Sequence, residues 1–451
     1  MIRKVFRAGN SVVVSLPREC LEFLELVEGS PVSVELDREG RRLVVYPAGM
    51  ARPETDEAHP GPRPRNSFPL VGGEPERIGF RYQRMVVKVG TSVLTAGMDQ
   101  LYRPRMLDLV RQIADLHRGG LEVVLVTSGA IMAGRERLGF PKMGKGIPFK
   151  QVLAAVGQGH LMHLYEQMFD MYEITVAQTL LTREDMIDRQ RYLNARDTLL
   201  ALVRQRVVPI VNENDVVAVD EIRVGDNDNI SAMVANLVEA DLLVMLTDTE
   251  GLYSADPRLH PEAELISEVP VIDGSIRELA GEAGSEWGSG GMITKIEAAE
   301  LATRSGTRVV VALGEEENVL MRIAQGEAIG TAFLPSSSKV ESRKRWILAE
   351  GATKGYIKVD AGAARALLQE GKSLLAVGVT EVSEGFGRGE TVRILDEEGR
   401  EIARGLTRYA AADLKLIKGA RSDRIEDILG YEYGSEVVHR NDLMMLQKST
   451  I

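Results

Sequence analysis

At 451 residues the chain is too long for one hydrophobic core, and its 44% hydrophobic, 27% charged and 5% aromatic content excludes a fibrous or disordered body; at roughly 150 residues each, about three globular domains are expected. A formal net charge of -11 excludes nucleic-acid binding by the chain as a whole, while leaving it open to a single domain. The lone cysteine, Cys20, excludes an intrachain disulfide, and with no signal-like start and no apolar run near the ~20 residues that span a bilayer, the expectation is a cytoplasmic protein.

Residues 1–47 carry two stretches, "KVFRAGNSVVVSLP" and "SPVSVELDREGRRLVVYP", in which apolar and polar residues alternate as in half-buried strands, with "DREGR" as a turn. Between them "PRECLEFLEL" predicts a short helix starting at Pro17. A unit this small buries little core, so dimerisation is expected of it. Residues 48–81 hold Pro53, Pro60, Pro62, Pro64, Pro69 and Pro75 without apolar periodicity, the pattern of a linker.

From residue 82 to 334 the pattern changes. "RMVVKVG", "LEVVLVTSG", "VVPIVNEND", "ADLLVMLTD" and "TRVVVALG" are short, nearly continuous apolar runs, separated by helical stretches such as "PRMLDLVRQIADLHRGG" and "DNISAMVANLVEAD". Buried strands alternating with helices predict the α/β class, a mostly parallel sheet covered on both faces. In such sheets ligands sit beyond the carboxyl ends of the strands, which here carry "KVGTS", "TSGA", "NEND" and "TDTEG". Residues 355–435 return to short strands and glycine turns, a compact and mostly β domain. The sequence contains no low-complexity tract and no internal repeat.

Five places carry residues suited to chemistry. Lys88 ends the first strand of the middle segment, before Gly90; it is either a phosphate ligand beside a glycine turn or a snorkelling surface lysine. Ser128 and Gly129 stand at a strand-to-helix turn that suits an anion or serves simply as a cap. "SGGMITK", residues 289–295, is a glycine-rich loop entering a helix with Lys295 in its first turn, where a cation opposes the helix dipole. "VGDNDNISA" sets Asp226 and Asp228 either side of Asn227. Ile230 and Ser231 at the fifth and sixth positions exclude an EF-hand, leaving a solvated acidic turn or carboxylates that orient lysines and hold magnesium. Asp215, in "NENDVVAVDEIR", suits an ammonium group on a small substrate.

Taken in order, "VVKVGTSVL", "VTSGAI", "PIVNENDVVAVDEIRVGDNDNISA", "LLTDTEGLYSADP" and "GSGGMITKIEAA" resemble the amino acid kinase family, and as a set its glutamate-phosphorylating branch. "GYIKVDAGAARALLQEGKSLLAVGV" resembles a PUA domain, and together the two resemblances cover roughly residues 82–435. They imply ATP-dependent phosphorylation of the side-chain carboxylate of L-glutamate, the first step of proline biosynthesis, with Mg as the accompanying ion and proline as a candidate inhibitor. Carried over by motif, Lys88 and Lys295 neutralise the transferring phosphoryl; Ser128, Asp215, Asn227 and Asp226 bind glutamate; and Asp228 organises the lysines and the magnesium. Thr247 and Asp248 contact the nucleotide, together with Lys88, Gly90 and the run Ser289, Gly290, Gly291, Met292, Ile293, Thr294 and Lys295. The PUA segment has Ala376 where that family often has proline, and Ala410 and Ala411 where it often has serines, positions that bear on RNA binding.

Residues 1–47 resemble the swapped-hairpin AbrB/MazE family, whose dimers bind DNA or partner toxins. Arg3, Lys4, Arg7 and Arg18 are the phosphate-contacting candidates, offset by Glu19, Glu22, Glu25 and Glu28. A homo-oligomer, dimer or tetramer, is expected. Two other readings stand beside the leading one: a kinase of the same fold acting on aspartate, N-acetylglutamate or a nucleoside monophosphate, and a DNA-binding regulator whose kinase fold senses ATP or an amino acid. The "NEND" and "GDNDN" pair favours glutamate, and retention of both lysines favours turnover.

Overall fold

The computed structural model describes residues 5–8, 11–14, 32–37, 42–47, 80–141, 147–218, 226–282, 291–336 and 353–446. The helix expected from Pro17, the "DREGR" turn beyond Asp37 and residues 48–79 lie outside them. The chain divides into two units, Met1–Gly72 and Gly73–Ile451. In the first, β1 (Val5–Ala8) pairs antiparallel with β2 (Ser11–Val14), and β3 (Val32–Asp37) with β4 (Arg42–Pro47), so both alternating stretches form hairpins.

The second unit is built on an eight-stranded sheet. Its strands are β5 (Arg84–Val89), β6 (Glu122–Thr127), β7 (Val176–Leu181), β8 (Val208–Glu213), β9 (Leu242–Thr247), β10 (Glu268–Val269), β11 (Arg308–Leu313) and β12 (Thr331–Phe333), in the order β10-β12-β11-β9-β5-β6-β8-β7. The six strands from β11 to β7 run parallel, as the apolar runs predict, while β12 is antiparallel to β11. From β5 the chain moves to β6 on one side and later returns to β9 on the other. That makes the carboxyl end of β5 a switch point, where open parallel sheets bind ligands. Strand β7 has no continuous apolar run because it lies at the edge, where Gln178 and Thr179 are tolerated.

Strand parity sorts the two cores. Met85, Val87 and Val89 face a cluster that includes Ile113, Leu161 and Phe169. Val86 faces the opposite cluster, with Ile230 and Val234 from the helix Asp226–Leu237 and Ile296 and Ala299 from the helix Met292–Arg304. Lys88, two residues beyond Val86, therefore points to the face that those two helices cover. At the start of the unit, Phe80 packs against the first cluster and the Arg81 amide donates to Ala324 O at 3.2 Å, so the stretch read as linker has already joined the core by residue 80.

A second sheet, in the order β14-β13-β15-β16-β17, forms the C-terminal domain from β13 (Gly355–Val359), β14 (Val379–Val382), β15 (Thr391–Leu395), β16 (Glu401–Leu406) and β17 (Leu443–Met445). It docks on the helix Arg189–Arg204. Arg196, buried on that helix, pairs with Asp442 of the C-terminal domain at 3.3 Å and with Glu239 at 2.9 Å. Arg388 pairs with Asp197 at 2.6 Å and stacks over the Tyr433 ring at 3.8 Å.

Candidate active site

Three strand ends and two helix starts meet at the switch point. Lys88 comes from β5, Ser128 follows β6, and Thr247 ends β9. Asn227 and Asp228 lie in the first turn of one helix, where acidic side chains suit the dipole; Thr294 and Lys295 lie in the first turn of the other. Gly90 caps the short helix Thr91–Thr95, and a Cβ there would stand 3.4 Å from Lys88 Nζ, so glycine leaves the ammonium room. At Gly129, φ is 99°, a backbone that favours glycine and lets the chain turn sharply between Ser128 and its helix.

The centre is one carboxylate between two cations. Asp228 is fully buried, with Lys88 Nζ at 2.6 Å from Oδ1 and Lys295 Nζ at 3.5 Å from Oδ2. Thr294 Oγ1 also donates to Oδ2 at 2.7 Å. Burial alone would raise the Asp228 pKa, but Lys88 and Lys295 outweigh it and hold the carboxyl below its usual range. Lys295 is pushed down, chiefly by burial and further by Lys88, with Asp228 opposing. Each lysine is only 6% exposed, which excludes the snorkelling reading of Lys88. The acidic pair is not a solvated turn either, as far as Asp228 is concerned.

Beside Lys295 opens a cavity of about 300 Å3, lined among others by Thr247, Asp248, Tyr253, Gly291 and Met292. Arg258 pairs with Asp256 at its rim, at 2.7 Å, and holds that carboxyl down to about 2. Asn227, the chain neighbour of Asp228, belongs to a polar network. Asn227 Nδ2 donates to Ser128 Oγ at 3.0 Å and to Asn212 Oδ1 at 3.2 Å, and Asn212 Nδ2 donates to Gln158 Oε1 at 2.8 Å. Asn227 Oδ1 is buried without a hydrogen-bond partner among the described residues. Lys295 thus lines the cavity and contacts Asp228, Asp228 also contacts Lys88, and Asn227, next to Asp228 in the chain, bonds Ser128.

The structure brings together Lys88, Asp228, Lys295 and Thr294, and separately Ser128 with Asn227. Thr247, Asp248, Gly291 and Met292 line the cavity, whereas Ile293 is 36% exposed and lies outside its lining. Asp215 is half-buried in the turn after β8. Asp226 opens its helix, but its side chain, like Ser289 and Gly290, lies outside the description. So do Arg3, Lys4 and Arg18, and the Arg7 side chain. Sequence reasoning missed Asn212 and Gln158. Asn212 opens the polar "NEND" tail and was detectable there; Gln158 sits mid-helix and gives no sequence signal. Among the described residues, no three His, Cys, Asp or Glu side chains cluster as a metal site.

Known proteins share this arrangement of segments. Residues 83–313 match the amino acid kinase family, and residues 355–429 match the PUA domain. The glutamate 5-kinase of Herpetosiphon aurantiacus is 59% identical over 363 residues, covering 80% of this chain and 98% of its own. That of Deinococcus radiodurans is 55% identical over 363 residues, 80% of this chain and 100% of its own, and that of Dehalococcoides mccartyi strain 195 is 51% identical over 371 residues, 82% and 100%. The chain belongs to the amino acid kinase family.

Proposed function

We propose that the chain transfers the γ-phosphoryl group of ATP to the side-chain carboxylate of L-glutamate, releasing L-glutamyl 5-phosphate and ADP, the reaction that opens proline biosynthesis. A carboxylate oxygen forms the new bond to the γ-phosphorus as the bond to the β-phosphate oxygen breaks. The acceptor is already ionised, so no general base is needed, and catalysis rests on alignment and on positive charge at the transferring group. Lys88 and Lys295 supply that charge. Asp228 holds both ammonium groups in place and keeps two cations compatible with burial.

The observation that carries this reading is the position of Lys295, which lines the cavity and also contacts Asp228. The cavity is of a size for a nucleotide, with Thr247 and Asp248 at its wall. The next residue along from Asp228, Asn227, leads to Ser128, where an unpartnered buried acceptor suits an ammonium donor on the amino acid. Magnesium, when bound, would supply further positive charge at the phosphate groups. Asp228 would be the residue to hold it, although its ion pairs with Lys88 and Lys295 and the hydrogen bond from Thr294 make holding the lysines its main task.

For residues 1–47 the dimerising or DNA-binding reading rests on the two antiparallel hairpins and the resemblance to swapped-hairpin dimers. The sensor alternative is disfavoured by the two buried lysines, since binding alone does not need charge placed for a transition state. ADP release by the purified chain, with L-glutamate, L-aspartate, N-acetyl-L-glutamate and UMP offered separately, tests the assignment. Release with L-glutamate alone is expected; release with UMP, or with no acceptor in the set, contradicts it.

A further inference from the structure

The hydrogen-bond ladder below Ser128 has a direction that one backbone group dictates. The Glu213 amide donates to Asn212 Oδ1 at 2.9 Å, and a backbone N–H can only donate, so the orientation of the Asn212 amide is settled by chemistry. Its Nδ2 must then be the donor to Gln158 Oε1, and its Oδ1 the acceptor for Asn227 Nδ2. The second Asn227 N–H goes to Ser128 Oγ. Two consequences follow at the end of the ladder. Asn227 Oδ1 is left as a buried acceptor with no partner among the described residues, and Ser128, which accepts from Asn227, keeps its own hydrogen to donate. A zwitterionic α-amino acid presents the complement of this pair: an ammonium that donates and a carboxylate that accepts.

The other end of the ladder is Gln158. Its Oε1 serves Asn212, while its buried Nε2 has no partner among the described residues, a cost that a purely space-filling side chain would avoid. Its position is tied to Ser128 by backbone contact. The helix Ile147–Asp170 crosses the helix Ala130–Arg137 so closely that a Cβ on Gly157 would lie 1.8 Å from Ala130 O, and one on Gly134 would lie 1.9 Å from Leu153 O. Ala130 is two residues beyond Ser128, and Gly157 immediately precedes Gln158.

We propose that Gln158 is a positioning residue for amino-acid selectivity: by accepting from Asn212 it fixes the ladder so that Asn227 meets the substrate ammonium as an acceptor and Ser128 meets its carboxylate as a donor. The proposal rests on the glutamate-phosphorylating reading. It concerns how firmly the amino acid is held and leaves the phosphoryl-transfer groups untouched, so its effect belongs in KM for the amino acid.

The test is steady-state kinetics on the full chain for wild type, Gln158→Met, which keeps the length but removes the acceptor, and Gln158→Glu, which keeps an acceptor oxygen toward Asn212. Loss of one buried hydrogen bond predicts KM for L-glutamate about five- to tenfold higher in Gln158→Met, with kcat and KM for ATP within about twofold of wild type. The preference for L-glutamate over N-acetyl-L-glutamate should fall by a similar factor, and Gln158→Glu should restore most of the KM. An unchanged KM for L-glutamate in Gln158→Met, or a parallel rise in KM for ATP, overturns the proposal. If Gln158→Met does not fold, Gln158→Ala gives the same readout, and an unchanged KM there overturns it equally. A wild-type chain that makes no product from L-glutamate overturns the underlying reading, and the proposal with it; wild-type turnover with unmoved variants overturns the proposal alone.

Discussion

Replacing Asp228 by asparagine keeps the shape at the centre of the site and removes the negative charge that pairs with both lysines. The two lysine contacts, at 2.6 and 3.5 Å, are each worth roughly 5 to 6 kcal/mol in gross Coulomb terms at an effective dielectric of about 20. Most of that is spent on desolvating three buried ions, and breaking such a group by removing one partner costs about 3–5 kcal/mol net. For a domain of this size the loss corresponds to a fall in Tm of roughly 6 to 15 °C. The two ammonium groups left unbalanced should draw in the nucleotide phosphates instead. ATP with magnesium should therefore raise the Tm of Asp228→Asn by more than it raises that of wild type, and KM for ATP should not increase. Turnover should nonetheless fall by at least about a hundredfold, because the lysines are no longer held where charge develops. Thermal melts with and without nucleotide, together with ADP release, read all three quantities. A variant that melts within about 2 °C of wild type and turns over within about tenfold of it would refute the reasoning.

Lys295→Ala should abolish turnover with only a modest loss of glutamate binding measured by calorimetry, since Lys295 borders the cavity rather than the Asn227–Ser128 pair; near-normal activity would remove its assigned role. Because burial and Lys88 lower the Lys295 pKa below its ordinary 10.5, the alkaline limb of kcat should fall at a lower pH than an ordinary lysine would give. Between that lowered value and 10.5 the unfolded chain binds more protons, so the Lys295 contribution makes stability rise with pH, a trend that melts across that window can check. His117, chiefly through burial and then Arg206, has its pKa lowered to about 4 from 6.5. Its neutral folded form is fully tolerated above 6.5, and stability should drain away as pH falls from 6.5 toward 4, less steeply in His117→Gln when followed by urea unfolding. Asp442→Asn should cost about 1–3 kcal/mol, less than a full break because Glu239 still faces Arg196, and should split a single calorimetric transition into separate kinase-domain and C-terminal-domain steps; one unchanged transition would show that the pair does not couple them.

The middle of the chain was legible because its strands are nearly uninterrupted apolar runs and its ligand-facing residues follow them directly. Lys88 could be placed by counting two residues from Val86, and the "NEND" and "GDNDN" clusters announced themselves as polar residues that a folded core would otherwise reject. What stayed hidden depends on contacts between distant segments. Gln158 is one of several polar residues on its helix, and its task exists only because Gly157 and Gly134 allow two helices to touch. Thr294 was read as part of a nucleotide loop, whereas its hydroxyl bonds Asp228. Arg196 and Arg388 look like ordinary surface arginines in sequence, and their burial follows from the docking of two domains whose paired residues lie 246 and 191 positions apart. The edge strand β7 escaped notice for the opposite reason, since an edge needs no continuous apolar run.

The most direct test of the account is to trap the product with hydroxylamine, incubating the purified chain with ATP, magnesium and L-glutamate and locating the hydroxamate on the molecule by mass spectrometry. The account predicts a hydroxamate on the side-chain carboxyl, formed with L-glutamate and lost in Lys295→Ala. ADP release without any hydroxamate, or a hydroxamate on the α-carboxyl, would contradict the claim that this site phosphorylates the glutamate side chain.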